Sequence, residues 1–184
     1  MASKLKTDVL ETVSGSGTIA LTNQLSGMTT ASLPALGSAQ MPAGSVIQVI
    51  SATVATATST TSTSFVNTPL TASITPTSTS SKILITATTP TYTGSNGTYA
   101  ARYTIFRGTV SGVNLGHPNF GFCNLYNNDA QAMQVVTTMS ILDSPNTTSS
   151  QTYTVAMLSE GNNAIAAVMS SGVKATITLM EIKG

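Results

Sequence analysis

The chain has 184 residues, of which 13 are charged, one is histidine, one is cysteine and 57 are serine or threonine. A charged fraction of 7%, against about 25% in ordinary soluble domains, argues against a conventional cytosolic enzyme. The net charge of +1 comes from scattered cations and leaves no electrostatic footprint for nucleic acid or an anionic membrane. A lone cysteine, Cys123, excludes an intramolecular disulfide framework and a multi-cysteine metal site.

The first residues, Met1-Ala2-Ser3-Lys4-Leu5-Lys6, are basic, but Thr7, Asp8 and Glu11 follow where a secretory leader needs an apolar stretch. No apolar run approaches the ~20 residues that span a bilayer. A soluble chain without an encoded secretion route is expected. Residues 1–43 scatter Val9, Leu10, Val13, Ile19, Leu21, Leu25, Met28, Leu33 and Leu36 among Gly, Ser and Thr. So short a segment, with its apolar residues dispersed, cannot bury enough surface to be stable alone. The expectation is an extended arm held by other chains, with Val9, Leu10, Val13, Ile19, Leu21 and Leu25 as attachment residues. Folding back onto its own head is the rival arrangement.

No Asp, Glu, Lys or Arg occurs from Thr12 to Ser81. A disordered Ser/Thr linker is the usual meaning of such composition. Yet Val46, Ile47, Val49, Ile50 and Val54 crowd β-branched apolar residues into a strand-like density. From there short β-type runs recur between turn signals. Strands are predicted near Val46–Val54, Thr63–Asn67, Ala72–Thr75, Lys82–Thr89, Tyr99–Arg107, Asn119–Leu125, Met133–Leu142, Thr152–Ser159, Ala164–Met169 and Ala175–Lys183. Pro76, Pro90, Gly94-Ser95-Asn96-Gly97, Gly108, Asp143-Ser144-Pro145-Asn146 and Gly161-Asn162-Asn163 separate them, and Asn96-Gly97 marks the strongest hairpin tip. Many short strands without a long helical period indicate an all-β protein, an antiparallel β-sandwich or jelly roll occupying 44–184. The run Ile83-Leu84-Ile85 lacks alternation, which suggests burial on both faces, one toward the sandwich and one toward a sister chain. Abundant Thr and little charge suit β structure with extensive inter-chain contact, because buried charge is costly unless paired.

Several stretches resemble tailed-bacteriophage virion proteins, especially tail-fibre and head-fibre tips. They are Ile74-Thr75-Pro76-Thr77-Ser78-Thr79-Ser80-Ser81-Lys82-Ile83-Leu84-Ile85, then Leu142-Asp143-Ser144-Pro145-Asn146-Thr147-Thr148 with Tyr153-Thr154-Val155, and the closing Ile177-Thr178-Leu179-Met180-Glu181-Ile182-Lys183. Upstream, Lys6-Thr7-Asp8-Val9-Leu10-Glu11-Thr12 and Ser14-Gly15-Ser16-Gly17-Thr18-Ile19 are similar to the linkers of such fibres. The resemblance implies a homotrimeric β-sandwich tip, in the style of tumour-necrosis-factor-like jelly rolls, on a short N-terminal shaft. Family fibres are often several times longer, so a short fibre or spike, or a decoration on the capsid, fits this chain better. Expected partners are sister chains, other virion proteins that grip the arm, and a host-surface glycan. The expected place is the surface of the capsid or tail.

The chemical inventory is poor. His117 is the only imidazole, no Gly-x-Ser-x-Gly elbow occurs, and His117 with Cys123 lacks a third soft or imidazole ligand unless three copies bring their His117 rings to an axis. Glycosidase chemistry needs two nearby carboxylates. Of Asp129, Asp143, Glu160 and Glu181, Asp143 reads as a turn former and Glu181 as a surface residue near Lys183. No enzyme activity, cofactor or resident metal is expected, and a hydrolytic tailspike is the weaker reading. Receptor contact is expected from the segment Asn114–Asp129, through His117, Asn119, Tyr126, Asn127, Asn128 and Asp129, because sugar sites combine aromatic faces with amide and carboxylate groups. Phe120 and Phe122 read as core, Met133, Met139, Met157, Met169 and Met180 as gap-filling core residues, and Arg102 and Arg107 as partners of acids.

Overall fold

The computed structural model describes residues 37–94, 99–127, 132–160, 166–168 and 173–184. The chain divides into two units, Met1–Gly37 and Ser38–Gly184, and every described strand lies in the second. Val9, Leu10, Val13, Ile19, Leu21 and Leu25 lie outside the described residues, as do Ser95, Asn96, Gly97, Asn128, Asp129, Gly161-Asn162-Asn163 and Met169. Among the described residues no helix is long and apolar enough to cross a membrane.

The described residues form eleven strands: β1 (Val46–Val54), β2 (Thr58–Thr60), β3 (Val66–Ile74), β4 (Lys82–Thr93), β5 (Tyr99–Arg107), β6 (Val113–Asn114), β7 (Cys123–Asn127), β8 (Met133–Asp143), β9 (Gln151–Glu160), β10 (Ala166–Val168) and β11 (Ala175–Ile182). One sheet runs β1-β11-β4-β8, with β10 and β2 continuing beside the far end of β4. The other runs β3-β9-β5-β7, with β6 beside the last residues of β5. Every ladder is antiparallel. The pairs are nested in sequence, β1 with β11, β3 with β9, β4 with β8 and β5 with β7. This is one long hairpin rolled up, and the β11–β4 and β9–β5 ladders close the roll. The predicted antiparallel jelly roll is the fold observed.

Period-two burial explains the two layers. Ala175, Ile177 and Leu179 of β11 and Ile83, Ile85 and Ala87 of β4 turn inward, while Thr176, Thr178, Thr86 and Thr88 turn out. Facing them from the second sheet are Leu70, Tyr103, Ile105, Tyr153, Val155 and Met157, all fully buried. Each such aliphatic side chain contributes about 1.5–3 kcal/mol of burial. Truncating one, as in Ile177→Ala, costs about 2–5 kcal/mol through the cavity left behind. Two buried tyrosines of the second sheet bridge to the first at opposite ends. The Tyr103 hydroxyl donates to the Tyr92 carbonyl at 2.8 Å and accepts from the Tyr92 amide. The Tyr153 hydroxyl donates to Asp143 Oδ2 at 2.8 Å, where Arg107 Nη1 also reaches it at 3.2 Å.

The strand registers define two poles. Val46, Lys82, Asp143, Gln151 and Ile182 lie at one, while Val54, Thr93, Met133, Glu160 and Ala175 lie at the other. The chain joins the sandwich at the first pole through a short 3-10 turn, Ser38–Gln40. There Lys183 Nζ donates to the Ala39 and Met41 carbonyls, and the Gly44 amide donates to the Lys183 carbonyl at 2.7 Å. Residues 38–43, read from sequence as the end of the arm, are thus strapped to the last strand.

Several expectations are corrected. The two strands predicted at Thr63–Asn67 and Ala72–Thr75 are the single β3, which passes through Pro69 because it is an edge strand whose register with β9 shifts between Asn67 and Thr71. β4 likewise continues past Pro90, which falls where its partner changes from β11 to β10. Ile83-Leu84-Ile85 is not buried on both faces: Ile83 and Ile85 are buried and Leu84 is half-buried on the outside. Glu181 is no surface residue. It sits inward on β11 at 0% exposure and accepts hydrogen bonds from Gln48 Nε2 and from the Thr77 amide and hydroxyl. Asp143 is more than a turn former, since it ends β8 and anchors the Arg107–Tyr153 bridge. Met139 and Met157 are core, whereas Met180 faces outward on β11.

Candidate functional site

The residues expected to bind a receptor converge in part, on the outer face of the second sheet toward the pole away from where the chain joins. On β5 the outward parity belongs to Ala100, Arg102 and Thr104, whose neighbours are Glu160, Leu158 and Ala156 on β9. Across β7, Tyr126 lies beside Ala100 and Asn124 beside Arg102. Tyr126 is 60% exposed.

The connection between β6 and β7 folds over this face. Asn114 Oδ1 accepts from the Thr104 hydroxyl at 2.6 Å and from the Gly116 amide at 3.0 Å, which fixes the first half of the loop on the sheet. His117 bridges to Gly121, and its Nδ1 accepts from the Asn119 and Phe120 amides at 3.1 Å each. His117 therefore shapes the turn, with the ring acting as an acceptor for two backbone donors. Gly121 closes the turn at φ 64°, and a Cβ there would lie 2.3 Å from the Tyr103 carbonyl oxygen. Only glycine reaches that backbone conformation without strain so close to a strand.

This turn overturns the expectation that Phe120 is core. The predicted strand Asn119–Leu125 begins only at Cys123, so side-chain alternation does not extend back to Phe120. Phe120 is 48% exposed, with the Arg102 guanidinium carbon 4.4 Å from its ring centroid. Phe122 does pack against the core. Arg102 is held on three sides: Nη1 donates to the Asn119 carbonyl at 3.0 Å, Nη2 pairs with Glu160, and the guanidinium lies over Phe120. The expected pairing of Arg102 and Arg107 with acids is seen for both, within the same chain.

Beside Arg102 opens a cleft of about 340 Å³. Thr63, Ser64 and Phe65 come to it from the β2–β3 connection, Arg102 and Leu158 from the sheet, and Pro118 and Asn119 from the loop. Of the six predicted receptor residues, Asn119 lines this cleft, His117 shapes its wall and Tyr126 stands farther along the same face. Asn127 closes β7, and Asn128 and Asp129 lie outside the described residues. Sequence reasoning missed Phe65, Arg102 and Glu160. The parity of the predicted strand Tyr99–Arg107 would have found Arg102, since Tyr103 and Ile105 point the other way.

His117 and Cys123 do not act together. Cys123 opposes Tyr103 on the inward side of β7, its sulfur 3.7 Å from the Thr137 hydroxyl, and burial pushes its thiol up. Among the described residues no three His, Cys, Asp or Glu side chains gather as a metal site. Of the carboxylates weighed for hydrolysis, Asp143 is engaged by Arg107 and Tyr153 and Glu181 by Gln48 and Thr77.

The outer face of the first sheet is a different surface. Strand register places Val49, Met180, Leu84 and Leu142 in one row across all four strands. The next rows are Ser51, Thr178, Thr86 and Ser140, then Thr53, Thr176, Thr88 and Thr138. Their hydroxyls pair with one another, Thr86 with Ser140 at 3.2 Å and Thr88 with Thr138 at 3.0 Å. On the described strands of this face Lys82, the first residue of β4, is the one charged side chain.

No protein-family model and no curated protein matches the chain. Among solved structures it is similar to a chain in the structure of infectious bursal disease virus, Gx strain, at 12% identity and a TM-score of 0.39, over 83% of this chain and 43% of that one. It is also similar to a chain in the VP2 subviral particle of infectious bursal disease virus, at 11% identity and a TM-score of 0.36, with the same coverage of 83% and 43%. The chain spans less than half the length of these viral chains.

Proposed function

We propose that the chain is a structural component of a bacteriophage virion, a homotrimeric short fibre or spike whose sandwich adheres to a host-surface glycan. The observation that carries the adhesive part is the cleft beside Arg102. It sets an aromatic ring, an amide and two hydroxyl-bearing residues around an ion-paired guanidinium on an otherwise charge-poor sheet. Such a mixture suits a sugar, whose C–H face stacks on apolar surface while its hydroxyls take directional hydrogen bonds. Weak single sites suffice, because several copies acting together raise avidity by ~10²–10⁴. The virion placement is supported by the resemblance of the 74–85, 142–155 and 177–183 stretches to phage fibre tips and by the jelly roll, an analogy at the level of fold.

A second reading, a capsid or tail decoration without a receptor, is favoured by the outer face of the first sheet. Its half-exposed aliphatic row and its mutually satisfied hydroxyls can be buried between copies without stranding polar groups. Retention of the full-length chain on immobilised bacterial envelope polysaccharides separates the two. Adhesion predicts retention of the wild type and its loss in Phe65→Ala. No retention at high density of the wild-type assembly removes adhesion and leaves the decoration role.

A further inference from the structure

We infer that the Arg102 cleft selects uncharged saccharides and that Glu160 sets this selectivity, an inference that rests on the adhesive function proposed for this face. An arginine in a cleft ordinarily invites carboxylates and phosphates through its fork of N–H donors. Here both terminal nitrogens are engaged and the third is shut away from solvent. Nη2 is taken by Glu160, Nη1 by the Asn119 carbonyl and the flat face by the Phe120 ring, while Nε is buried without a partner.

Exposure reinforces the point. The Arg102 side chain is 12% exposed and that of Glu160 is 56% exposed. Glu160 stands outside the cleft lining, paired to Arg102, and its exposed negative charge repels an acid approaching the guanidinium. A neutral sugar has no such barrier. Thr63 and Ser64 add two hydroxyls, and Phe65 adds apolar surface for a pyranose face. The ion pair thus serves as a gate that cancels the one cation of the cleft.

The test uses full-length wild type and Glu160→Gln, with multivalent galactose and N-acetylglucosamine as neutral probes and multivalent glucuronic acid and N-acetylneuraminic acid as acidic ones. Because Glu160 is largely exposed, the variant is expected to fold, and an unchanged denaturation midpoint confirms it. The wild type is expected to retain a neutral probe and to bind the acidic probes at least about tenfold more weakly, with Glu160→Gln strengthening acid binding by about tenfold. Acidic probes binding the wild type as well as neutral ones, or an unchanged acid affinity in the variant, overturns the gate while adhesion stands. No binding of any probe to either protein removes adhesion and the gate together.

Discussion

Tyr153, on β9 of one sheet, donates its phenolic hydrogen to Asp143 at the end of β8 in the other. Burial first, then the hydrogen bond and the adjacent carboxylate charge, push the phenol far above its ordinary value, so it remains a donor at any physiological pH. Arg107 meets the same carboxylate, and the three side chains close one end of the core.

Tyr153→Phe keeps the ring and removes only that donor. Stability is expected to fall by about 1.5–3 kcal/mol, the range for hydrogen bonds to charged groups. Urea unfolding should show a lower midpoint at unchanged slope, the signature of lost stability without a change in exposed surface.

Glu181 gives a dependence on pH. Burial raises its carboxyl, but the hydrogen bonds from the Gln48 amide and from both donors of Thr77 outweigh that and hold it below its ordinary value of 4.5. A depressed folded-state value means that the unfolded chain takes the proton more readily. The stabilisation is therefore complete above the ordinary value and is lost as pH falls through the lower, folded one. Melting temperatures of wild type and Glu181→Gln should converge on acidification below 4.5. A difference that stays constant with pH would contradict this.

Gly121→Ala places a methyl group against the Tyr103 carbonyl in a left-handed backbone conformation. The expected cost is about 1–3 kcal/mol. Since the same turn seats Asn119 and Phe120 around Arg102, retention on polysaccharide should fall more steeply than thermal stability.

Leu142→Lys and Val49→Lys each put a charge at an end of the aliphatic row on the first sheet. Both positions are about half exposed, so each fold should hold to within about 0.5 kcal/mol. Native mass measurement should find three copies for the wild type and single chains for the variants.

The strands that the sequence announces are those whose ladders bury β-branched side chains between turn residues. β1 and β5 match their predicted bounds, and β8, β9 and β11 fall within one residue at each end. β2, Thr58-Ser59-Thr60, escapes because it has no apolar side chain, and its pairing with β10 defines it. Phe120 is illegible because strand alternation does not carry across a turn that depends on the positive φ of Gly121. Glu181 differs for another reason. Its parity with Ile177 and Leu179 marks it as inward, but a carboxylate near Lys183 at the end of the chain reads as surface, and its partners lie on β1 and beyond β3, far away in sequence.

The rolled hairpin sets how a pulling force would travel. The chain joins the sandwich at the Val46–Ile182 pole, while the cleft sits toward the Glu160 pole, so tension between them runs along the strands. Ladder hydrogen bonds lie across that direction and would be loaded side by side in shear, as between β1 and β11 from Val46↔Ile182 to Val54↔Ala175. Peeling, which breaks such bonds one after another, would require traction on both strands from the same pole. A tether gripping the molecule near Ser38 and a surface held at the cleft would strain it in its mechanically resistant direction.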